Sequence, residues 1–438
     1  MLHRPGPGDA RRRVFVTGVF DIQNFGDLLF PLIAAHRLAR HGFDVVPVAP
    51  SSTPSRLGDA MDPVDIASML SDRTAVDAIL VGGGYMINVH PTDFLEEYAG
   101  DGISGWAMAG LWLGATLAAA LRDVPVLWNA PGVPHPFGRR IRPIVEAAVA
   151  AAGYLSVRDR GGAELLGAPD GVRVKIVPDT IADLAGMWPR ESLSDAFGEF
   201  LRRKQADPEC RFLALHLRKR SIAGSTMGDL AARIDAFTAE HGLTALLVAV
   251  GRSHDDPGVA RELSRHLRRP HILLDDPLGL REMCAAFANS ALYIGASLHG
   301  YIASCAYGVP GMLVARPAYR KFKGFLEHTG RLDDLAGTWD DALAVGAARA
   351  REPRSARITP AALAALDEHW TTIRACIDQP EAKRAERHAF VAAIVRAGIA
   401  EGGALWAMQP ILDRVPPYRM GSAEIARNAA GRTDDHER

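Results

Sequence analysis

The fold of this chain is best approached through residues 291–314, which read ALYIGASLHGYIASCAYGVPGMLV. The pattern predicts a short apolar strand, a turn at 297–300 and a helix that begins at Tyr301. Gly308 and Pro310 end the helix, and a second apolar strand follows. Such a strand–turn–helix–strand unit is typical of an open parallel sheet with helices on its faces.

One titratable residue, His299, lies at the turn from strand to helix. In an open parallel sheet, ligands bind beyond the carboxyl ends of the strands, beside helix N-termini whose free N–H groups attract anions. An imidazole changes its protonation near neutral pH, so His299 could exchange a proton with a ligand. It could equally cap or pack at the turn, and the spacing alone favours neither interpretation.

The composition is that of a globular protein of two or three domains, with 438 residues of which 48% are hydrophobic and 23% charged. The formal net charge of −1 offers no bulk attraction for nucleic acid or a membrane surface, so we expect neither as a partner. The four cysteines lie far apart without a CxxC pair, which indicates a reducing compartment and no disulfide framework or zinc site. We therefore predict a cytoplasmic protein, with residues 1–12 as a flexible tail.

One uncharged run, residues 103–121, is near the minimum length of a membrane span. It is embedded in an alternating strand–helix pattern, and the sequence has no second run of this kind. A buried helix that covers a parallel sheet has the same composition. We therefore predict a buried helix here and no transmembrane segment.

The first half of the chain alternates apolar strands with helices, which implies a parallel sheet covered on both faces. The predicted strands are 14–19, 43–48, 78–81, 125–129, 154–157 and 172–177, and the predicted helices are 28–40, 63–70, 92–121, 140–151 and 162–166.

The pattern resets near residues 183–194, and a second alternation follows. Its predicted strands are 212–217, 245–250, 271–274, 292–296 and 312–314, and its predicted helices are 193–204, 228–241, 258–267, 278–288 and 300–307. The fold class is therefore α/β, with two Rossmann-like three-layer domains, 13–185 and 190–345, around a central cleft.

No strand pattern remains after about residue 318. Helices are predicted at 360–377 and 381–399, within a helical C-terminal region, 355–422, that packs back across the first domain. Residues 423–438 are predicted to be disordered.

Distinctive residues follow the first strand: Asn24, Gly26 and Asp27. They could present a carboxylate and backbone amides to a ligand. Asp27 could also simply cap the helix that follows, as Asp does well, and taken alone this interpretation is favoured.

Three consecutive glycines, residues 82–84, follow the third strand. Glycine lets a backbone approach a ligand closely and adopt positive φ, and a plain turn needs fewer than three. Neither glycine segment fits the dinucleotide fingerprint GxGxxG or the P-loop, which argues against a dehydrogenase or an NTPase.

Two arginines also stand at predicted strand ends. Arg158 is suited to grip a carboxylate or phosphate in bidentate fashion, or it forms a salt bridge with Asp159, Glu164 or Asp179. Arg218 opens a run of three cations, residues 218–220, that would face the cleft between the domains.

Taken together, these segments resemble the polysaccharide pyruvyl transferase family. The resemblance covers roughly residues 14–316 and rests on segments in the family's order: Asn24-x-Gly26-Asp27, Gly82-Gly83-Gly84, Ser156-Val157-Arg158-Asp159, Pro178-Asp179, and Ser297-Leu298-His299-Gly300-Tyr301-Ile302-Ala303 with Gly308-Val309-Pro310.

The resemblance implies a glycosyltransferase-B-like arrangement, with residues 13–185 on the acceptor side and 190–345 on the donor side. It implies transfer of a pyruvyl group from phosphoenolpyruvate to a sugar or glycan precursor, usually as a ketal across two hydroxyls. No metal or cofactor is implied, because phosphoenolpyruvate is the donor substrate.

The resemblance also implies roles for individual residues. His299 would be the general acid, and Asp27 the acceptor-hydroxyl contact or base. Arg218 and Arg158 would bind the anionic donor. The remaining implied substrate-binding residues are Asn24, Gly26, Gly83, Gly84, Ser297 and Gly300.

One departure from the family concerns the donor site. The family usually has an arginine two residues before this histidine, where this chain has Ser297. Lys219, Arg220 or Arg316 could replace the missing cation. Otherwise the donor differs or the activity is lost.

Two alternatives stay open at the level of the sequence. The first is a nucleotide-sugar glycosyltransferase, for which Asp275 and Asp276 are the only candidate ribose contacts. The second is a non-catalytic binding protein of the same fold. The sequence does not decide whether the chain forms a homo-oligomer.

Overall fold

The computed structural model describes residues 11–71, 74–93, 95–99, 102–252 and 255–414. By its contacts, the chain divides after Phe390 into two compact units. Residues 1–10 of the predicted flexible tail, 1–12, and the predicted disordered end, 423–438, lie outside the described residues. The same holds for residues 415–422 of the predicted helical region. The tail prediction is wrong at Arg12, which is the first residue of a strand.

Two parallel sheets form the framework, as the sequence predicts. The first has five strands in the order β3-β2-β1-β4-β5: Arg12–Thr17 (β1), Phe43–Ala49 (β2), Val64–Asp65 (β3), Ala78–Val81 (β4) and Val126–Trp128 (β5). The predicted strands 154–157 and 172–177 shorten to Ser156–Val157 (β6) and Lys175–Ile176 (β7), which pair only with each other. A single bridge, Leu127 to Tyr154, connects that pair to the first sheet.

The second sheet has six parallel strands in the order β10-β9-β8-β11-β12-β13. The strands are Phe212–His216 (β8), Thr244–Val248 (β9), His271–Leu274 (β10), Leu292–Gly295 (β11), Gly311–Val314 (β12) and Leu335–Ala336 (β13). In both sheets the first strand in sequence lies in the middle, and the chain order reverses beside it. Ligands of open α/β sheets bind at such a reversal, outside the carboxyl ends of the strands.

Helices cover both sheets and follow the predicted positions closely in most cases. They are Phe25–Ala39 (α1), Ile66–Ser71 (α2), Ala107–Ala109 (α3), Ala115–Arg122 (α4), Arg142–Ala151 (α5), Arg160–Leu166 (α6), Leu184–Met187 (α7), Ser194–Arg203 (α8), Met227–His241 (α9), Asp256–His266 (α10), Leu280–Ala288 (α11), Leu298–Ala306 (α12), Arg320–Thr329 (α13), Trp339–Arg349 (α14), Pro360–Ile377 (α15) and Arg384–Leu412 (α16).

The uncharged run is a buried helical segment, as predicted, although it begins only at Ala107. One wider turn, Gly110–Gly114, joins α3 to α4. Leu111 and Trp112 are fully buried, and the Trp112 indole N–H donates to the Asn88 carbonyl at 2.9 Å. The apolar composition therefore serves packing against the first sheet.

The prediction that no strand follows residue 318 is wrong. β13 pairs with β12 at the sheet edge, and α13 and α14 flank it. β13 is only two residues long, so it carries no alternating pattern that a sequence could display. Its position is decided by pairing with a neighbour.

The predicted return of the C-terminal region across the first sheet is confirmed for α15. His369 on this helix is 1% exposed, and its ring nitrogens lie 3.0 Å from the Tyr154 hydroxyl and 2.9 Å from the Asn129 side-chain oxygen. The next helix, α16, is long and apolar enough to cross a membrane by length and composition alone. Only 6% of its most apolar stretch is buried. Gly403 has non-helical backbone angles inside it. The predicted absence of a transmembrane segment stays a prediction.

Candidate active site

A pocket of about 1050 Å³, open mouth included, lies where the carboxyl ends of both sheets meet. The loops after β1 and β4 line it from the first sheet, and those after β8, β9 and β11 line it from the second. Both strand-order reversals therefore open into the same space, the placement expected for a ligand site of this topology.

Two helix N-termini, those of α1 and α12, border the pocket. The Asn24 side-chain oxygen accepts the Gly26 N–H at 3.2 Å, and the Ser297 hydroxyl oxygen accepts the Gly300 N–H at 3.2 Å. The interpretation of Asp27 as the helix cap is wrong. Asn24 takes that position, and Asp27 lies in the first turn with its side chain in the pocket.

His299 rests directly on the first turn of α1. A Cβ atom added to Gly26 would lie 1.6 Å from the His299 Nδ1, so only glycine permits this contact. The ring of Phe30 meets the imidazole edge-on, with centroids 5.8 Å apart. Gly26 is therefore a support beneath the ring and does not itself line the pocket.

A buried ion pair lies behind His299. Arg158 Nη1 is 3.0 Å from Asp179 Oδ2, and the two side chains are 3% and 2% exposed. His299 Nε2 lies 3.7 Å from the same carboxylate oxygen, a distance longer than a hydrogen bond. Burial alone would raise the pKa of Asp179, but His299 and Arg158 outweigh it and lower the pKa to about 2. The carboxylate therefore stays charged and faces the imidazole.

Both interpretations of Arg158 apply at once. It makes the salt bridge with Asp179, and it also lines the pocket with its guanidinium carbon 5.1 Å from the centre of the Tyr85 ring. Its Nε and Nη2 atoms have no hydrogen-bond partner among the described residues. One edge of the guanidinium is thus held in place while the other keeps its hydrogen-bonding capacity.

The surroundings of Asp27 shift its pKa in the opposite direction from that of Asp179. Burial raises the pKa of Asp27, and the electrostatic influence of His299, Lys321 and Arg158 offsets only part of that effect. A carboxylate with a raised pKa is a better proton acceptor than a free one. Asp27 is therefore the carboxylate here whose environment suits proton exchange.

The three glycines after β4 are required for two different reasons. A Cβ on Gly82 would lie 2.2 Å from the Thr17 carbonyl oxygen, so Gly82 is required by the sheet itself. Gly83 faces the Phe30 ring, and Gly84 has φ +93° and faces Asp27. Gly83 and Gly84 line the pocket, so a close backbone approach to a ligand concerns these two alone.

The cations of the pocket differ in part from those predicted. Arg218 lines it, but its neighbours Lys219 and Arg220 are exposed and do not, and neither does Arg316. None of the three proposed replacements for the missing arginine therefore reaches the pocket.

Sequence reasoning missed two polar side chains that line the pocket, those of Lys321 and Tyr85. Lys321 lies in the first turn of α13, a helix that was not predicted, so no signal placed it at the site. Burial and the nearby charges of Arg158 and Arg218 lower its pKa to about 7, against the opposing effect of the carboxylates. Tyr85 directly follows the glycine run, and this position is the signal that could have identified it.

Gly300 lies beneath the pocket and does not line it. Its N–H donates to the Ser297 hydroxyl oxygen, and a Cβ there would lie 2.9 Å from the Tyr293 hydroxyl oxygen.

Among the described residues, no group of three or more His, Cys, Asp or Glu side chains could hold a metal ion.

The sequence matches the model of the polysaccharide pyruvyl transferase family over residues 24–317. The chain belongs to this family. The matched segment includes the charged residues of the pocket named above except Lys321. A comparison with curated proteins gave no match.

Solved structures with a similar fold include enzymes of sugar-nucleotide chemistry. The UDP-GlcNAc 2-epimerase of Methanocaldococcus jannaschii superposes with a TM-score of 0.50 at 12% identity, over 83% of this chain and 99% of that one. A putative UDP-N-acetylglucosamine 2-epimerase from Listeria monocytogenes gives 0.49 at 12% identity, over 83% and 97% of the two chains. At this identity, the first likeness shows the glycosyltransferase-B-like fold alone. This member of the pyruvyl transferase family therefore has the fold class that its sequence predicts.

Proposed function

We propose that this protein transfers a pyruvyl group from phosphoenolpyruvate to two hydroxyls of a sugar, in a glycan or glycan precursor, and forms a ketal. The observation that carries the proposal is one pocket that combines three basic side chains, two helix N-termini and a pair formed by a histidine and a carboxylate. Arg158, Arg218 and Lys321 supply the cations, and His299 and Asp27 form the pair. Membership of the family is consistent with this reaction.

The charges of the pocket suit a donor with two anionic groups. Phosphoenolpyruvate carries a carboxylate and a phosphate, and arginine side chains bind both groups with paired hydrogen bonds. The N-termini of α1 and α12 add oriented N–H groups and a partial positive charge. The donor is thus proposed to lie between the two helix ends, with its reacting carbon near His299.

The proposed reaction balances without a further reactant. One acceptor hydroxyl oxygen bonds to the central carbon of the donor, and the methylene carbon gains a proton and becomes a methyl group. The bond between the central carbon and the bridging phosphate oxygen breaks. The second hydroxyl oxygen completes the ketal. Of the two hydroxyl protons, one balances the new methyl hydrogen and the other leaves with inorganic phosphate.

His299 and Asp27 divide the proton transfers in this proposal. His299 acts as the general acid at the donor, and the charged Asp179 behind it stabilises the imidazolium. Asp27 accepts a proton from an attacking hydroxyl, a role that its raised pKa favours. The two side chains approach the pocket from different sheets, so the donor and the acceptor meet between them.

The nucleotide-sugar alternative gains no support from its candidate ribose contacts. Asp275 pairs with Arg261 at 2.5 Å, and Asp276 pairs with Arg203 at 2.8 Å and also with Lys204. Neither Asp275 nor Asp276 lines the pocket.

The thermal unfolding midpoint of the purified protein tests the proposal, with phosphoenolpyruvate or a panel of nucleotide sugars as ligands. A ligand that binds the folded state stabilises it by mass action, by about 2.7 kcal/mol at a hundredfold excess over Kd. We expect phosphoenolpyruvate to raise the midpoint and Arg218→Ala to abolish the rise. Lys219→Ala is the matched control, because its exposed side chain stands next in sequence but outside the pocket.

The other outcomes are equally informative. A rise with a nucleotide sugar alone would overturn the proposal in favour of glycosyl transfer. The absence of a rise with either ligand would support a non-catalytic member of the family.

A further inference from the structure

Lys321 is the cation of the pocket for which neither the family match nor the sequence pattern accounts. It lies beyond the matched segment, which ends at residue 317. It is half-buried, and it makes no ion pair with any described carboxylate. Its ammonium nitrogen instead lies 5.3 Å from the Tyr85 ring centre and 5.4 Å from that of Tyr319.

Close backbone packing holds the first turn of α13 at the pocket. A Cβ on Gly324 would lie 2.4 Å from the Asp159 Cβ, and a Cβ on Gly161 would lie 2.2 Å from the Arg320 Cδ. The Arg320 guanidinium also donates to the Val133 carbonyl at 2.6 Å. Because these contacts tie α13 to the first sheet's side of the pocket, the position of Lys321 is set by rigid elements.

No single carboxylate among the charged and titratable groups around Lys321 forms an ion pair with its ammonium group. Those that face it are Arg158, Arg218, Asp27, Asp179, Tyr85 and Tyr319. His299 lines the same pocket. On α13 itself, Arg320 and Lys323 are the charged neighbours of Lys321. Two like charges and two opposite ones surround a partly desolvated ammonium group, which an added dianionic ligand would stabilise.

We propose that Lys321 binds the donor together with Arg158 and Arg218, and that it replaces, from a different helix, the arginine that Ser297 does not provide. Its ammonium group binds the phosphate or carboxylate of the donor, while Ser297 caps α12. The inference rests on the proposed function, because it takes a donor with anionic groups as given.

A titratable lysine gives this site a property that an arginine would not. The pKa of Lys321 is lowered to about 7, so its charge falls as the pH rises through neutrality. An arginine stays charged throughout this range. Donor binding that depends on Lys321 therefore weakens as the pH rises.

Calorimetric titration of the full-length protein with phosphoenolpyruvate tests the inference at about pH 6 and about pH 8.5, on either side of the lysine's titration. We expect Lys321→Met to weaken binding at the lower pH by roughly tenfold to a hundredfold, the range for a charged hydrogen bond. We expect Lys321→Arg to bind at both pH values, with a smaller change between them than the wild type. The ligand's own titration is the same for all variants. The difference between variants in the pH dependence of Kd therefore reports on residue 321.

A matched control and a folding readout accompany the titration. Lys323→Met removes an exposed ammonium two residues along α13, paired with Glu327, and should leave binding unchanged. The unfolding midpoint of ligand-free Lys321→Met should equal or exceed that of the wild type near neutral pH. The reason is that the unfolded chain holds the lysine proton up to its ordinary pKa, whereas the folded protein loses it near 7.

The outcomes separate this inference from the proposed function. If Lys321→Met binds phosphoenolpyruvate as the wild type does while Arg218→Ala does not, the inference is overturned and the proposed function stands. If the wild type itself does not bind phosphoenolpyruvate, both are overturned. Equal pH dependence in the wild type and Lys321→Arg would also contradict a titrating donor contact.

Discussion

The imidazole of His299 lies against the backbone of Gly26, and this contact fixes the position of the proposed proton donor in the pocket. The two residues come from different sheets and are far apart in the sequence. The sequence identified both as site residues but assigned Gly26 to the ligand. The structure gives it a different role, because the space that a Cβ would occupy is filled by the His299 ring.

Gly26→Ala tests this contact. Alanine suits the helix better than glycine by about 1 kcal/mol. Its methyl group overpacks the site at a cost of roughly 1–3 kcal/mol, so the free energy of unfolding should fall by no more than about 2 kcal/mol. The added methyl group forces the imidazole out of its place, and a displacement of this kind can slow catalysis by roughly a hundredfold. The rate of phosphate release from phosphoenolpyruvate in the presence of the acceptor measures it.

Gly337→Ala is the control for the glycine substitution, because a Cβ there meets no atom within 4 Å. It should retain the wild-type rate. A wild-type rate in Gly26→Ala would show that the reaction does not depend on this position of His299.

At the scale of secondary-structure elements, α15 is held to the first sheet by a buried histidine. The His369 ring lies between the Tyr154 hydroxyl and the Asn129 side-chain oxygen, which fits a neutral imidazole that accepts from the tyrosine at Nδ1 and donates from Nε2. Burial lowers the pKa of His369 to about 3. The helix is therefore docked by a group that cannot be protonated in place near neutral pH.

The stability of the protein should therefore depend on pH through His369. The unfolded chain binds a proton near the ordinary pKa of 6.5 and the folded protein does not, so stability falls as the pH drops below 6.5. Between pH 7 and 5 this residue should account for about 2 kcal/mol. Urea unfolding of the wild type and of His369→Gln at both pH values measures the difference.

An exposed histidine provides the comparison. His388→Gln, on α16, should show the same pH dependence as the wild type, since its side chain is exposed. Equal losses in the wild type and His369→Gln would mean that other groups cause the acid sensitivity.

Long elements with a clear period were predicted well, and short ones were not. The strands that became β1, β2, β8 and β9 consist mainly of apolar residues, and their predicted positions agree with the structure to within two residues. β13 and the short pair β6–β7 depend on hydrogen bonds to a partner, which a local pattern does not record. The prediction of α1 began three residues late, because Asp27 was taken as the cap in place of Asn24.

At the scale of the whole molecule, the two sheets share a buried apolar cluster, although the second sheet has another on its opposite face. One hydrophobic cluster includes residues of both halves, and the rings of Phe25 on α1 and Phe287 on α11 have centroids 5.5 Å apart. The pocket is therefore bounded by two sheets that are joined through the helices packed between them. Domains joined by a continuous apolar core are expected to unfold together.

Calorimetry should accordingly show one unfolding transition for the two sheets, with equal calorimetric and van't Hoff enthalpies. Phe287→Ala should lower the free energy of unfolding by about 3–5 kcal/mol and shift the whole transition. Two resolved transitions, of which the variant moves only one, would contradict a shared core.

The sequence by itself determined the class of fold, the family, and most of the residues that meet in the pocket. Apolar periodicity reports which segments form strands and helices, and parallel sheets place the ends of their strands at one edge. Tertiary structure alone decided that Arg158 pairs with Asp179, that Gly26 supports His299, and that Lys321 enters the site. These facts depend on the distances between segments far apart in the chain, and packing between elements sets those distances.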